Sequence, residues 1–428
     1  MISAASIALA ASLLAGPDTP APAEPASPGV PGEPGGPGLA ILCAKALTCA
    51  EDAMVVDRAV LLVRDGRIEA VGERGELEVP EGYAIEDHGD LWVMPGMVDL
   101  HCHVGGTFDI NDMVYQANPG LRVNTAVRPG NPALMMGLAA GVTTVLFIPG
   151  SGTAVGGQGV LIKTAPGAYE DILVRQPGSL KTAQGNNPKA HLLGCGPALY
   201  NWHIRDIFFR GRAYHRAWEA FEAGEGPEPA RDITLDVFRD LNRGDAQVSS
   251  HTQQHAVVQS TMRIQVREFG IPTFIDHGSM DAFRGADLVA ELDVPAILGP
   301  RSASWRSIGR GYDHDGRMMG IAAEYQARGH KRIGFNTDSP VIPQETLQLQ
   351  AGMAVRYGLD DRGMDSVRGL TIVPAEAAGI GHRVGSLEVG KDADVLVLTG
   401  HPGDPRTSVE RVYVDGRSVY DAEEERLW

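Results

Sequence analysis

Four apolar runs, far apart in the chain, each stop on side chains that can bind a cation or carry a proton. "VMPGMVDLHCH" (93–103) stops on His101 and His103, "AQVSSH" (246–251) on His251, "IPTFIDH" (271–277) on His277 and "KRIGFNTD" (331–338) on Asp338. Residues at i and i+2 of a strand share a face, so His101 and His103 point the same way. "GVTTVLFIPG" (141–150) and "VPAILGP" (294–300) are further strands of the buried type. Between His251 and His277, Val258, Met262, Val266 and Phe269 fall at spacings of three and four, one face of a helix, and Gly270 supplies its stop. Strand, helix and strand at such intervals imply parallel βα units. In a (β/α)8 TIM barrel the C-terminal strand ends meet at one mouth, where active sites lie. The expected fold is such a barrel. "VGGQGVLIKT" (155–164) reads as a strand in a Gly-rich excursion, and 198–232 as a helix with an exposed connection. The third and fourth barrel strands are left unassigned.

Both ends of the chain read as β structure. "RAVLLVRDGRIEAVG" (58–72) and "VERVYVDGRSVYD" (409–421) each carry an Asp-Gly pair between apolar runs, a strong hairpin signal because that pair accepts positive φ. "DADVLVL" (392–398) adds a strand. A small β-sandwich built from both termini follows, with segments 39–94 and 384–428 flanking a barrel over 95–383.

Residues 1–38 stand apart: a short Ala/Leu/Ile run (2–15), then a Pro/Gly/Ala-rich linker. The run is too short to span a bilayer but suits the apolar part of a secretory signal, and Ala21-Pro22-Ala23 resembles a small-x-small cleavage site. Export to the periplasm or outside the cell is expected, although no Lys or Arg precedes the run. An early start codon or an unstructured tail is the rival. A net charge of −17 argues against a nucleic-acid partner and against adhesion to anionic lipid. No membrane insertion is expected, and a homo-oligomer stays open. Four cysteines (Cys43, Cys49, Cys102, Cys195) are too few for a disulfide framework. Cys102, between the two histidines, faces away from them and reads as a packing residue.

Imidazole is the commonest ligand for zinc and its neighbours, and a half-closed shell of His with one carboxylate leaves room for water and substrate. Here the sequence resembles a known family. "PGMVDLHCH", a later His at each of two strand ends, "NTDSP" and "PAEAAGIGHRVGSLEVGKDADVLVL" resemble the metal-dependent amidohydrolase superfamily, most of all its imidazolonepropionase-like and Xaa-Pro dipeptidase-like branch. The resemblance covers roughly residues 39–421. It implies a TIM barrel with a sandwich, and metal ligands His101, His103, His251, His277 and Asp338. It also implies that Asp338 shuttles a proton while metal-activated water cleaves a C–N bond of a small amide, cyclic amide or dipeptide. One or two divalent ions are implied, Zn2+ first among them. Binuclear relatives add a carboxylated lysine, for which Lys181 is the candidate and Lys163 the rival. Deaminating relatives carry a glutamate three residues after the strand-five histidine, where this chain has Gln254, so deamination ranks lower. A non-catalytic metal-binding barrel is the rival from another class.

Each residue also has a plainer reading. His251 or His277 alone is a hydrogen-bonded core histidine, and only the joint pattern favours a metal. His255 is a solvent-side residue or a substitute for His251. Arg301 and Ser302 follow the "AILGP" strand and could grip a substrate carboxylate, or be structural. The remaining histidines default to the surface. If the leader is cleaved, intact-mass measurement of the exported protein will find a chain beginning after Ala23; a full-length mass in the cytoplasm would favour the rival reading of the N-terminus.

Overall fold

The structure, a computed structural model, describes residues 37–107, 110–185, 187–188, 196–300, 303–304 and 319–427. The leader, Arg301, Ser302 and Cys195 lie outside the described residues.

Eight strands form one sheet in chain order: β1 (Met97–Cys102), β2 (Val142–Phe147), β3 (Val155–Lys163), β4 (Leu173–Ala183), β5 (Val248–Thr252), β6 (Thr273–His277), β7 (Ala296–Leu298) and β8 (Ile333–Phe335). The sheet curls until its two edge strands meet. Cys102 bridges to Ser339, and the His103 amide donates to the Ser339 carbonyl at 2.8 Å. Every residue of β1, β2 and β3 is buried, as a strand must be when side chains fill the barrel inside and helices cover it outside.

One strand departs from the parallel expectation. β3 pairs antiparallel with both β2 and β4, whereas the other adjacent pairs are parallel. The connections explain it. Residues 148–154 are too few for a crossover, which needs a dozen or more, so the chain can only turn back. Residues 164–172 reverse it again with a single helical turn (Tyr169–Ile172), and β4 emerges parallel to β5. These two short connections are why the third and fourth strands carry no βα signature.

Helices take up the other crossovers. Pro132–Ala139 starts at Asn131, whose side-chain oxygen accepts from the amides of Ala133 and Leu134. Pro197–Glu222 and Val237–Arg243 lie between β4 and β5. After β5 an α-helix (His255–Thr261) continues as a π-helix (Met262–Glu268) ended by Gly270 at φ 69°. The wider turn rotates the buried face, so Val258 and Met262 pack on the barrel core while Phe269 joins a separate cluster with Phe208 and Phe238.

The terminal segments form two further sheets. One contains only N-terminal strands, in the order Arg67–Glu73, Ala59–Arg64, Leu39–Leu42, Ala84–Asp87. The other interleaves the two ends: Val395–Leu398 pairs with Trp92–Pro95 on one side and with Val409–Val414 on the other. Both Asp-Gly hairpins form as expected, with φ of 48° and 75° at Asp65-Gly66 and 48° and 69° at Asp415-Gly416. Among the other histidines, His215 and His330 are buried instead of lying on the surface; the His330 ring contacts the Val294 carbonyl at 2.7 Å.

Because β3 runs backwards, its last residue, Lys163, lies at the base of the barrel, paired with Thr144 near the start of β2. There its ammonium meets Asp394 at 2.5 Å, Asp392 at 3.1 Å and Asp415 at 3.6 Å, all from the C-terminal segment. Asp392 also receives Arg383 at 2.9 Å. Lys163 therefore ties barrel to sandwich at the end opposite the histidines, which removes it from any part in a metal bridge. Replacing Lys163 by Met leaves the buried Asp394 carboxylate without its cation and should cost about 3–5 kcal/mol in urea unfolding. Labelling with a thiol reagent should leave Cys43, Cys49 and Cys102 silent until the chain unfolds. All three are buried and free, and burial pushes their thiols up to about 11, 11 and 12.

Candidate metal centre

At the mouth the structure brings His101, His103, His251, His277 and Asp338 together. His101 Nε2 and His103 Nε2 are 3.0 Å apart, and Asp338 Oδ1 lies 3.1 Å from the first and 3.3 Å from the second. The His277 ring stands 4.4 Å from that of His101 and 4.4 Å from that of His251. His255, on the next helix, instead has its ring near Gln259, so it does not replace His251.

The four imidazoles share one hydrogen-bond logic. Each Nδ1 has an outward partner: Asp276 Oδ2 at 2.6 Å for His101, the Ile148 carbonyl at 2.9 Å for His103, Ser151 Oγ at 2.9 Å for His251 and the Gly299 carbonyl at 3.0 Å for His277. Carbonyl and carboxylate oxygens only accept, so His101, His103 and His277 carry their proton on Nδ1 and leave the Nε2 lone pair free. For His277 that Nε2 is buried and has no hydrogen-bond partner among the described residues. A buried lone pair left bare is costly. Beside three more imidazoles and a carboxylate, it is the donor set a divalent transition metal takes.

Local backbone conformation makes this possible. His251 and Asp276 are register partners in a parallel pair and face the barrel interior together. Alternation would then turn His277 outward. It sits instead at φ 74°, a left-handed conformation that swings its ring back into the mouth, and Asp338 does the same at φ 52°. Gly299, at φ 147°, brings its carbonyl to His277; a Cβ there would run into the Asn336 carbonyl oxygen.

Burial and charge set the protonation states. Burial lowers His251 well below the ordinary imidazole value, helped by His277, and lowers His277 to about 4; His103 is lowered for the same reason. Uncharged rings are the form that binds a cation. Burial also opposes charge on His101, but the Asp276 and Asp338 carboxylates together outweigh it and raise that ring. Burial would raise Asp338 too, yet His101 and His277 hold it far below the carboxylate range.

Lys181, on β4, is fully buried with its Nζ 3.0 Å from Asp276 Oδ2, two residues below the register partner of His251. Two carboxylates escaped the sequence reading. Asp276 is hidden by its neighbour: a residue just before a strand-end histidine should face the other way, and only the turn at His277 puts both inside. Asp99, two residues before His101, accepts from Thr337 Oγ1 at 2.5 Å and from the His101 amide at 3.1 Å. The i, i+2, i+4 series 99, 101, 103 could have marked it.

The Amidohydrolase family model matches residues 321–419. The crystal structure of an amidohydrolase from Thermotoga maritima MSB8 superposes with a TM-score of 0.79 at 30% identity, covering 90% of this chain and 100% of that one. Amidohydrolase tasK of Hapsidospora irregularis is 24% identical over 408 residues, 86% of this chain but 40% of its own length. Imidazolonepropionase of Sphingopyxis alaskensis is 22% identical over 396 residues, 86% of this chain and 92% of that protein. The match to the Thermotoga fold over 90% of this chain joins the strand-end histidines in one conclusion: this chain belongs to the amidohydrolase superfamily.

Proposed function

We propose that the protein is a metal-dependent hydrolase that cleaves the C–N bond of a small amide or cyclic amide. The observation that carries this reading is the convergence of His101, His103, His251, His277 and Asp338 at one barrel mouth, with Nδ1 of every imidazole turned to an outward partner. These five residues would hold the metal, zinc being first choice for a nitrogen-rich donor set. A bound divalent metal supplies Lewis acidity and a water acidic enough to ionise near neutral pH.

The chain's own groups do the rest. Buried walls around the rings exclude bulk water. Asp338 is the most exposed of the acids at the mouth, its side chain 15% accessible against 0% for Asp276, so it can reach a bound substrate. It takes the proton of the attacking water and returns it to the departing nitrogen, as general base and then general acid. Gln254, at the cap of the helix after β5, cannot exchange a proton, which favours amide hydrolysis over deamination. The imidazolonepropionase relative supports a cyclic amide as the first substrate class to try. Among the described residues no helix is long and apolar enough to cross a membrane. A small-molecule substrate suits a site enclosed in a barrel mouth.

Chelator treatment should abolish hydrolysis of whichever cyclic amide, N-acyl amino acid or dipeptide proves active, and added Zn2+ should restore it. Replacing Asp338 by Asn should lower kcat by roughly 10²–10⁴-fold while metal, counted by elemental analysis, stays largely bound. Near-wild-type turnover in that variant would remove Asp338 from the proton path.

A further inference from the structure

Asp276 is a fully buried carboxylate that accepts four side-chain hydrogen bonds, and neither the family resemblance nor the reading above gives it a role. Its Oδ2 accepts from three donors: His101 Nδ1 at 2.6 Å, Ser249 Oγ at 2.8 Å and Lys181 Nζ at 3.0 Å. Its Oδ1 accepts from Asn336 Nδ2 at 3.2 Å. These donors come from β1, β5, β4 and the residue just after β8, so one carboxylate gathers four elements of the barrel.

Among the described residues two sets of side chains lie close enough to hold an ion: His101, His103 and Asp338, and His101, Asp276 and His277. Read naively, they are two cation sites sharing His101. The hydrogen bonds decide otherwise. His101 spends Nδ1 on Asp276 and has only Nε2 to offer, and one imidazole nitrogen binds one cation. Three donors already crowd Asp276 Oδ2, so that oxygen has no lone pair left for a metal. The Lys181 ammonium is paired with that same oxygen at 3.0 Å. A carbamate on Nζ would bring a second negative charge against the buried Asp276 carboxylate, where like charges repel most strongly. Asp276 and Lys181 instead cancel, leaving four imidazoles and Asp338 to face a dication.

We propose that Asp276 is a positioning residue: it fixes His101 with its Nε2 lone pair aimed into the mouth, and it takes Lys181 as its counter-ion, so that the centre holds one divalent cation and not two. This rests on the metal reading above, and the test separates the two.

The test uses the full chain, stripped of metal and titrated with Zn2+ against a competing chelator, with stoichiometry from elemental analysis in the presence and absence of bicarbonate. The wild type should take up one tight equivalent with or without bicarbonate. K181M should still take up one. D276N should bind Zn2+ roughly 10–100-fold more weakly, as expected when the partner of a ligating histidine is changed. It should also alter the visible absorption of the Co2+-loaded protein, a change in the ligand field that loosened packing alone would not produce. Metal-free thermal unfolding tells a weakened site from a weakened fold. If D276N does not fold, wild type and K181M decide: one equivalent in both supports the proposal. Two equivalents in the wild type that need bicarbonate and fall to one in K181M would overturn it, as would a folded D276N with wild-type affinity and spectrum. A wild-type chain that takes up no Zn2+ would instead overturn the hydrolase reading itself. Amide hydrolysis with one bound Zn2+ and an indifferent D276N would sink only the role of Asp276.

Discussion

Closure of the barrel between β1 and β8 is the constraint on which the site depends. Three of the five converging side chains sit on that seam: His101 on β1, His103 just after its end, and Asp338 just beyond β8. The backbone contributes little there beyond the Cys102–Ser339 bridge and the His103 amide. Asp99 does the rest. From inside β1 it reaches the Thr337 hydroxyl on the far side of the seam, accepts the His101 amide, and lies 3.4 Å from Gln344 Nε2. Burial pushes its carboxyl up to about 6 against those same hydrogen bonds. One acid thus closes the cylinder and sets the spacing between the histidine pair and Asp338.

The reversed third strand divides the labour between the two ends of the barrel. With β3 running backwards, its first residues lie at the mouth, where Val155 and Ala154 hold the loop that follows β1 through Gln116 and Asn118. Its last residue becomes the buried cation of the base. Two lysines that look alike in sequence, Lys163 and Lys181, therefore end in different electrostatic settings. The first is held by three aspartates that join barrel to sandwich, one of them shared with Arg383, and the second pairs with one aspartate beneath the histidines. A buried ammonium is tolerable in both places only because carboxylates meet it.

The mouth follows the same rule in reverse. Burial leaves charge there unfavourable and keeps His103, His251 and His277 neutral, while His101, His103 and His277 commit their Nδ1 protons to Asp276, Ile148 and Gly299, away from the mouth. What remains is a set of inward lone pairs and one carboxylate, a surface poor in its own counter-charge and suited to a cation. The left-handed residues His277 and Asp338 belong to this arrangement, since a regular strand would turn the His277 ring away.

Much of this was legible in the chain. Apolar runs ending on His and Asp gave the barrel and all five converging residues, because strand-end position and side-chain chemistry are local properties. The Asp-Gly hairpins were equally plain, since positive φ is a demand the dipeptide itself satisfies. The direction of β3 was not legible: it depends on connection lengths whose ends cannot be placed until the neighbouring strands are known. Nor were Asp276, Asp99 and the fate of the two lysines, because each is defined by partners far away in sequence. Sequence alone determined which residues could meet a cation. Only tertiary structure decided which acids and bases pair beneath them, because in a dry interior a charge takes its role from whichever neighbour the fold puts within about 3 Å.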